Sequence, residues 1–194
     1  MVNQNIHIEE PKTTLSMHPK KFALWLFIVS IVMLFAALTS AYIVKQSDGN
    51  WLSFELPGIF AITTVIIAIS SLTMHLAYLA AKKDLLERVK WMLLATVILG
   101  LIFLVGQYIS WSELVENNVY FVSNYASGSF IYVFTGLHAL HLVSGIIFLL
   151  ITFISSVRMK VHSKRLVQLE MCMTYWHFLG GLWVYLYIFL LFNL

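Results

Sequence analysis

Residues 129–157 read SFIYVFTGLHALHLVSGIIFLLITFISSV, a stretch with no acidic residue, no lysine and no arginine. A helix needs ~20 mainly apolar residues to cross a ~30 Å hydrocarbon layer, and this run exceeds that length. Four more apolar runs stand at approximately Phe22–Val44, Pro57–Ala81, Trp91–Trp111 and Leu169–Leu194. Backbone groups inside lipid have no water to bond, so such spans fold as helices that satisfy themselves. The sequence predicts an all-α polytopic membrane protein, a bundle of five transmembrane helices.

Composition agrees. Of 194 residues 60% are hydrophobic and 11% charged, and mean hydropathy is +0.86; a soluble domain carries about 25% charged residues. The connections, roughly 10–18 residues each, are too short for a domain of their own. We expect a polar cytoplasmic tail over residues 1–20 and a single transmembrane domain over residues 21–194. The tail is not read as a signal peptide, because Glu9, Glu10, Pro11 and Lys12 interrupt any apolar run. The lone Cys172 has no internal disulfide partner.

The sequence pI of about 9.0 does not imply a nucleic-acid partner, because the basic residues collect at helix ends. Lys12, Lys20 and Lys21 precede the first helix. Lys82, Lys83, Arg88 and Lys90 lie in the second connection, and Arg158, Lys160, Lys164 and Arg165 in the fourth. Only Lys45, beside Asp48 and Glu55, lies in the first connection; the third holds Glu113 and Glu116. Five crossings put the tail and connections two and four on one side. The positive-inside rule makes that side cytoplasmic, with the C-terminus outside. Trp25, Trp51, Trp91 and Trp111 fall near helix ends, where amphipathic rings favour the interface.

Small residues four apart let helices approach closely in lipid. Ala36 and Ser40, Ala37 and Ala41, Thr73 with Ala77 and Ala81, Thr96 and Gly100, and Thr135 and Ala139 fit that spacing. Gly145, Gly180 and Gly181 offer further close contacts, and Gly181 is expected at one on the last helix. We read these residues as seals between helices. No Asp, Lys or Arg stands deep in any span, which argues against a pump or transporter acting alone.

Four histidines lie within the spans: His75, His138, His141 and His177. At 1.5 Å per residue, His138 and His141 stand roughly 25 Å from the inner end of their helix, and His75 and His177 roughly 9–12 Å from theirs. The first pair shares a face by its spacing but cannot reach His177. His75 with His177 is the one pairing that depth allows, as haem or metal ligands or as hydrogen-bonding groups inside the bundle. Glu170 falls in the first turn of the last helix, where the helix dipole favours an anion and Arg165 is a nearby partner. Glu170, Thr174 and His177 follow one another at helical spacing, a stripe expected to face other helices.

The run Thr135-Gly136-Leu137-His138-Ala139-Leu140-His141 resembles the TGxHxxH segment of subunit III of haem–copper terminal oxidases. Glu170, then Tyr175-Trp176-His177-Phe178, then Trp183 are similar to the E…YWHF…W pattern of that family's final helix. The five helices are similar to the family's shorter bacterial form. Two positions depart from the pattern. Ile31 stands where many members bury a carboxylate, and Gly180 stands where an Asp often follows the motif histidine.

The resemblance implies an accessory subunit of a proton-translocating oxidase that reduces oxygen to water. It implies no catalytic centre, metal or cofactor in this chain, with haem and copper in subunits I and II. It also implies packing on subunit I with phospholipid at the contact. His138, His141, Glu170, Trp176 and His177 would be the subunit or lipid contacts. Subunit III of a quinol oxidase is the near alternative. A stand-alone haem b membrane anchor and a small transporter are the more distant ones.

The charge split carries the first prediction. A reporter fused after Leu194 is expected to be active only if it works outside the cytoplasm, and one near Lys82–Arg88 only if it works inside. Activity of both on the same side would refute five crossings.

Overall fold

The computed structural model describes residues 19–47, 51, 54, 56–122, 125–157 and 166–193. Most of the tail lies outside the described residues, as do Asp48, Glu55, Arg158, Lys160, Lys164, Arg165 and Leu194. Five helices account for nearly all the rest: α1 (Pro19–Gln46), α2 (Ile59–Lys82), α3 (Leu86–Glu116), α4 (Ala126–Val157) and α5 (Val167–Asn193). Each is long and apolar enough to cross a membrane.

Most helices outrun the apolar stretches that announce them. The difference is largest in α3, which starts at Leu86 rather than Trp91 and ends at Glu116 rather than Trp111. Arg88 and Lys90 are therefore helical, with Lys90 paired to Glu87 at 2.8 Å. Polar residues at the interface keep their side chains in water while the backbone goes on bonding to itself. The helix thus ends where its cap is, not where the lipid is.

Those caps are visible. Asp84 (φ 52) and Asn118 (φ 60) take the left-handed conformation just past α2 and α3. Leu85 N–H then returns to the Ala80 carbonyl at 3.1 Å, and Val119 N–H to that of Leu114 at 2.9 Å. This closure satisfies carbonyls that a helix end leaves free. Glycine usually fills the position; Asp and Asn are the side chains that tolerate it best. The tight α2–α3 turn makes those two helices a hairpin, joined through Thr73 and Thr96 hydroxyls at 2.9 Å and Gln107 to Thr63 at 3.3 Å.

Cross-helix contacts fix the topology. Phe103 meets His138 and Trp111 donates to Thr135 at 2.9 Å, so α3 and α4 are antiparallel. Ser144 with Tyr175 and His138 with Trp183 make α4 and α5 antiparallel. Lys21 meets Glu170 at 2.8 Å at one end, and at the other Gln46 donates to the Asn193 carbonyl at 2.8 Å. α1 and α5 therefore run parallel, as odd members of an up-and-down series must.

α5 is the most enclosed helix and α1 the least. Around α5 stand α1, α2 and α4. Its Trp176 and Trp183 are the largest fully buried side chains. Trp183 donates to Thr64 at 3.0 Å and lies edge-on to Phe103, ring centroids 5.0 Å apart.

The small residues divide by face. Ala77, Ala81, Thr96, Gly100 and Thr135 are buried at seams, whereas Ala36, Ala37, Ser40 and Ala41 of α1 all point outward. The second group seals nothing within this chain. The expectation of a tight contact at Gly181 is corrected in the same way. A Cβ there meets nothing within 4 Å, and at Gly180 the nearest atom is Ile67 Cγ1 at 3.8 Å, ordinary contact. The tight glycines are elsewhere. At Gly100 a Cβ would lie 2.8 Å from Trp176 Cη2, and at Gly145 2.8 Å from Leu179 Cδ1. Gly181 continues the stripe of Glu170, Thr174 and His177, which was expected to face other helices and is only half-buried, so the spacing assigned it the wrong face.

Leucine at Gly100 or Gly145 is expected to destabilise the isolated chain by about 1–3 kcal/mol or more, because an indole or a neighbouring helix has to move. Gly181→Leu should leave the isolated chain at wild-type stability. Thermal loss of the monodisperse peak in detergent checks both, and equal effects at the three positions would contradict this packing.

Candidate functional site: the motif residues of α4 and α5

Trp176 is the best-held of the motif residues. Its ring packs against Gly100 of α3 and Gly145 of α4, and its Nε1–H donates to Ser70 Oγ of α2 at 3.1 Å. Ser70 in turn lies 3.5 Å from the Thr96 carbonyl. One side chain from α5 thus touches the other three helices of the α2–α5 core. Indole suits the place because it combines large apolar area with a single donor that needs one acceptor.

His177, one residue on, points toward α2. Its Nδ1 hydrogen-bonds Ser71 Oγ, and its ring lies 6.0 Å from that of His75, centroid to centroid. The pairing left open by depth is therefore real as a contact. A haem between these rings would need a slot as wide as the macrocycle. Instead α2 and α5 touch there: a Cβ on Gly180 would lie 3.9 Å from Ser71 Oγ. Among the described residues no group of three or more His, Cys, Asp or Glu gathers in a metal-binding arrangement.

His138 and His141 part company, although their spacing gives them one face. α4 is wedged between α3, α5 and α1, and the angle between the two side chains is enough to send them to different neighbours. His138 is wholly buried between Trp183 at 5.1 Å and Phe103 at 6.0 Å. Neither of its ring nitrogens has a hydrogen-bond partner, nor does the nearby buried Gln107 Oε1. His141 turns to α1, with Phe35 at 6.0 Å, and its Nδ1 lies 2.7 Å from the Leu137 carbonyl of its own helix.

Glu170 finds its partner on α1. Lys21 Nζ stands 2.8 Å from Glu170 Oε2, with the two side chains 32% and 38% exposed. Arg165, the partner suggested by proximity in sequence, lies outside the described residues. Such a half-exposed pair contributes little energy by itself, typically ~0–1 kcal/mol, but it fixes the register of α1 on α5. The stripe Glu170, Thr174 and His177 is half-buried throughout, not enclosed as the spacing suggests. It meets α1 through Glu170 and α2 through His177, and its middle is open.

Two features have no clear mark in the sequence. Ser144 is the partner of the Tyr175 hydroxyl, but an isolated serine in an apolar helix carries no periodic signal. An apolar groove of about 410 Å³ separates α1 from α5 at mid-height, lined by Val32, Phe35, Ala36, Phe178, Gly181, Leu182 and Tyr185. The departures Ile31 and Gly180 are both buried, so neither position presents a polar group to this groove.

Comparison with known proteins agrees with this arrangement. The family model described as cytochrome c oxidase subunit III matches residues 4–193. A probable cytochrome c oxidase subunit 3 of Nocardia farcinica is 30% identical over 84% of this chain and 82% of its own length. A cytochrome c oxidase subunit 3 of Corynebacterium diphtheriae is 29% identical over the same shares. A cytochrome bo(3) ubiquinol oxidase subunit 3 of Buchnera aphidicola is 26% identical over 90% of this chain and 94% of its own. With the motif residues placed on two adjacent helices of a five-helix bundle and the family model matched end to end, the chain belongs to the cytochrome c oxidase subunit III family.

Proposed function

We propose that this multi-pass membrane protein is the accessory subunit of a proton-translocating terminal oxidase, holds no redox centre itself, and packs on subunit I. Haems and copper reside in subunits I and II, and phospholipid fills the contact. The single domain of residues 21–194 lies in a bacterial cell membrane behind a cytoplasmic tail, residues 1–20, with the C-terminus outside. The observation that supports this most is how the motif residues are used. Glu170 holds Lys21, Trp176 holds Ser70 and His177 holds Ser71. Each closes a seam between helices, and none converges with others on a reacting atom. Of the five candidate subunit or lipid contacts, His141, Glu170 and His177 are half-buried and meet a partner or lipid directly, whereas the wholly buried His138 and Trp176 act through the helix packing they set.

A quinol-oxidising complex is the second reading, favoured by the Buchnera relative's own name. Oxygen uptake by the purified complex with ubiquinol against reduced cytochrome c separates the two.

Glu170→Gln keeps a hydrogen-bonding shape and removes one charge. It should leave the haem spectrum intact and lower turnover modestly. His177→Leu strands Ser71, which is half-buried like His177, without its partner, a loss below the about 1–3 kcal/mol of a fully buried group. It should loosen the subunit or shorten the active lifetime while the first turnovers proceed at the wild-type rate. Oxygen consumption, read as initial rate and as its decay, checks both. Loss of haem, or an initial rate near zero with this subunit still bound, would make the chain part of the catalytic machinery.

A further inference from the structure

His75 is exposed on the outer face of α2, about 10 Å from the inner helix end at Lys82 by the rise of a helix. Beside it stand Leu72 and Leu76, both exposed and apolar. Its ring contacts His177, but among the described residues His75 makes no hydrogen bond. Hydrocarbon offers an imidazole N–H no acceptor, and a polar group stranded there is costly. Lipid headgroups lie that same ~10 Å away at the helix end, and acyl tails carry no acceptor at that depth. One turn beyond His177, Gly181 is exposed with nothing near its Cβ position. An exposed glycine on a transmembrane helix leaves room for another backbone to come close. A polar pair and a glycine therefore share one open strip, which at Gly181 runs into the α1–α5 groove.

Resting on the reading of the preceding subsection, we infer that the open strip along α2 and α5, marked by His75, His177 and Gly181, is where a transmembrane helix of a partner oxidase subunit docks. That helix presents a hydrogen-bond acceptor to His75 at this depth. A carboxylate, an amide or hydroxyl oxygen, or a freed backbone carbonyl meets the requirement. A lipid-facing strip would favour leucine at position 75; a docked one requires a side chain that donates.

The test uses the assembled oxidase, purified through a tag on its haem-bearing subunit. A photoreactive benzoyl-phenylalanine at Leu72 leaves His75 in place, and one at Ile147, on the outward face of α4, reports a different surface. We expect a cross-link from Leu72 to a partner membrane subunit. His75→Leu should raise the fraction of complex that has lost this chain roughly fivefold, the size of one interhelical hydrogen bond in a membrane. His75→Gln, which still donates, should restore retention. Gly181→Leu should likewise lower retention while the isolated chain keeps its thermal stability.

Lipid adducts alone at Leu72, a cross-link there to a second copy of this chain, or full retention of His75→Leu would each overturn the inference. A cross-link from Ile147 alone would do the same by moving the interface to α4. A variant that fails to accumulate leaves the Leu72 cross-link to decide. If the chain does not co-purify with a haem-bearing subunit at all, the functional reading fails; co-purification without the Leu72 cross-link defeats only the docking face.

Discussion

The seat of the Trp176 indole is the constraint on which the rest of the bundle depends. Lipid supplies no hydrophobic drive between helices, so association rests on close packing and a few polar contacts. Trp176 combines the two. Its ring fits only because Gly100 has no side chain, since a Cβ there would lie 2.8 Å from it, and its N–H finds Ser70 on a third helix. Position and orientation of α2, α3 and α4 are thereby set relative to α5 through one residue. Trp183, about two turns on, repeats the arrangement with Thr64 as acceptor and Phe103 and His138 as walls.

Four buried threonines share one arrangement. Thr63, Thr96, Thr135 and Thr152 each bond a carbonyl three or four residues back in their own helix, so each is satisfied where it sits, whereas the buried Ser127 and Ser156 hydroxyls have no partner among the described residues. Several of these oxygens then accept a second bond from a neighbouring helix, as Thr135 does from Trp111 and Thr63 from Gln107. A hydroxyl in a membrane helix thus acts as an outlet through which one helix's backbone polarity reaches another. His138 stands outside this arrangement, stacked among aromatic rings with neither nitrogen bonded.

Existence, number and order of the helices were legible because lipid makes length and hydropathy sufficient signals. The ends of α3 were not, since Arg88 and Glu116 lie beyond the apolar run while the backbone keeps its own hydrogen bonds. The motif residues of α4 and α5 were legible as a resemblance. Their partners were not: Lys21 is far from Glu170 in sequence, and nothing local to either names the other. Face assignment failed where helical spacing alone carried it. Gly181 follows Glu170, Thr174 and His177 at that spacing, so it was expected inside and lies outside, and the α1 alanines were read as seals within the chain. His138 and His141 show the complementary limit, because helical spacing tells which residues are near each other and not which neighbours receive them.

The tethering of α1 has a consequence for biosynthesis. Lys21 at its start waits for Glu170, and Tyr42 and Gln46 at its end wait for the Asn193 carbonyl. Both clamps belong to the helix made last. On a ribosome that delivers the chain from its N-terminus, α1 enters the membrane first, meets α4 only after three more spans and gains both clamps only with the fourth. The α2–α3 hairpin can close early; the first helix is held at both ends only once α5 has entered. Quality control that reads loosely held helices would therefore see α1 as unsettled until α5 is in place, which couples the survival of the nascent chain to the insertion of that helix.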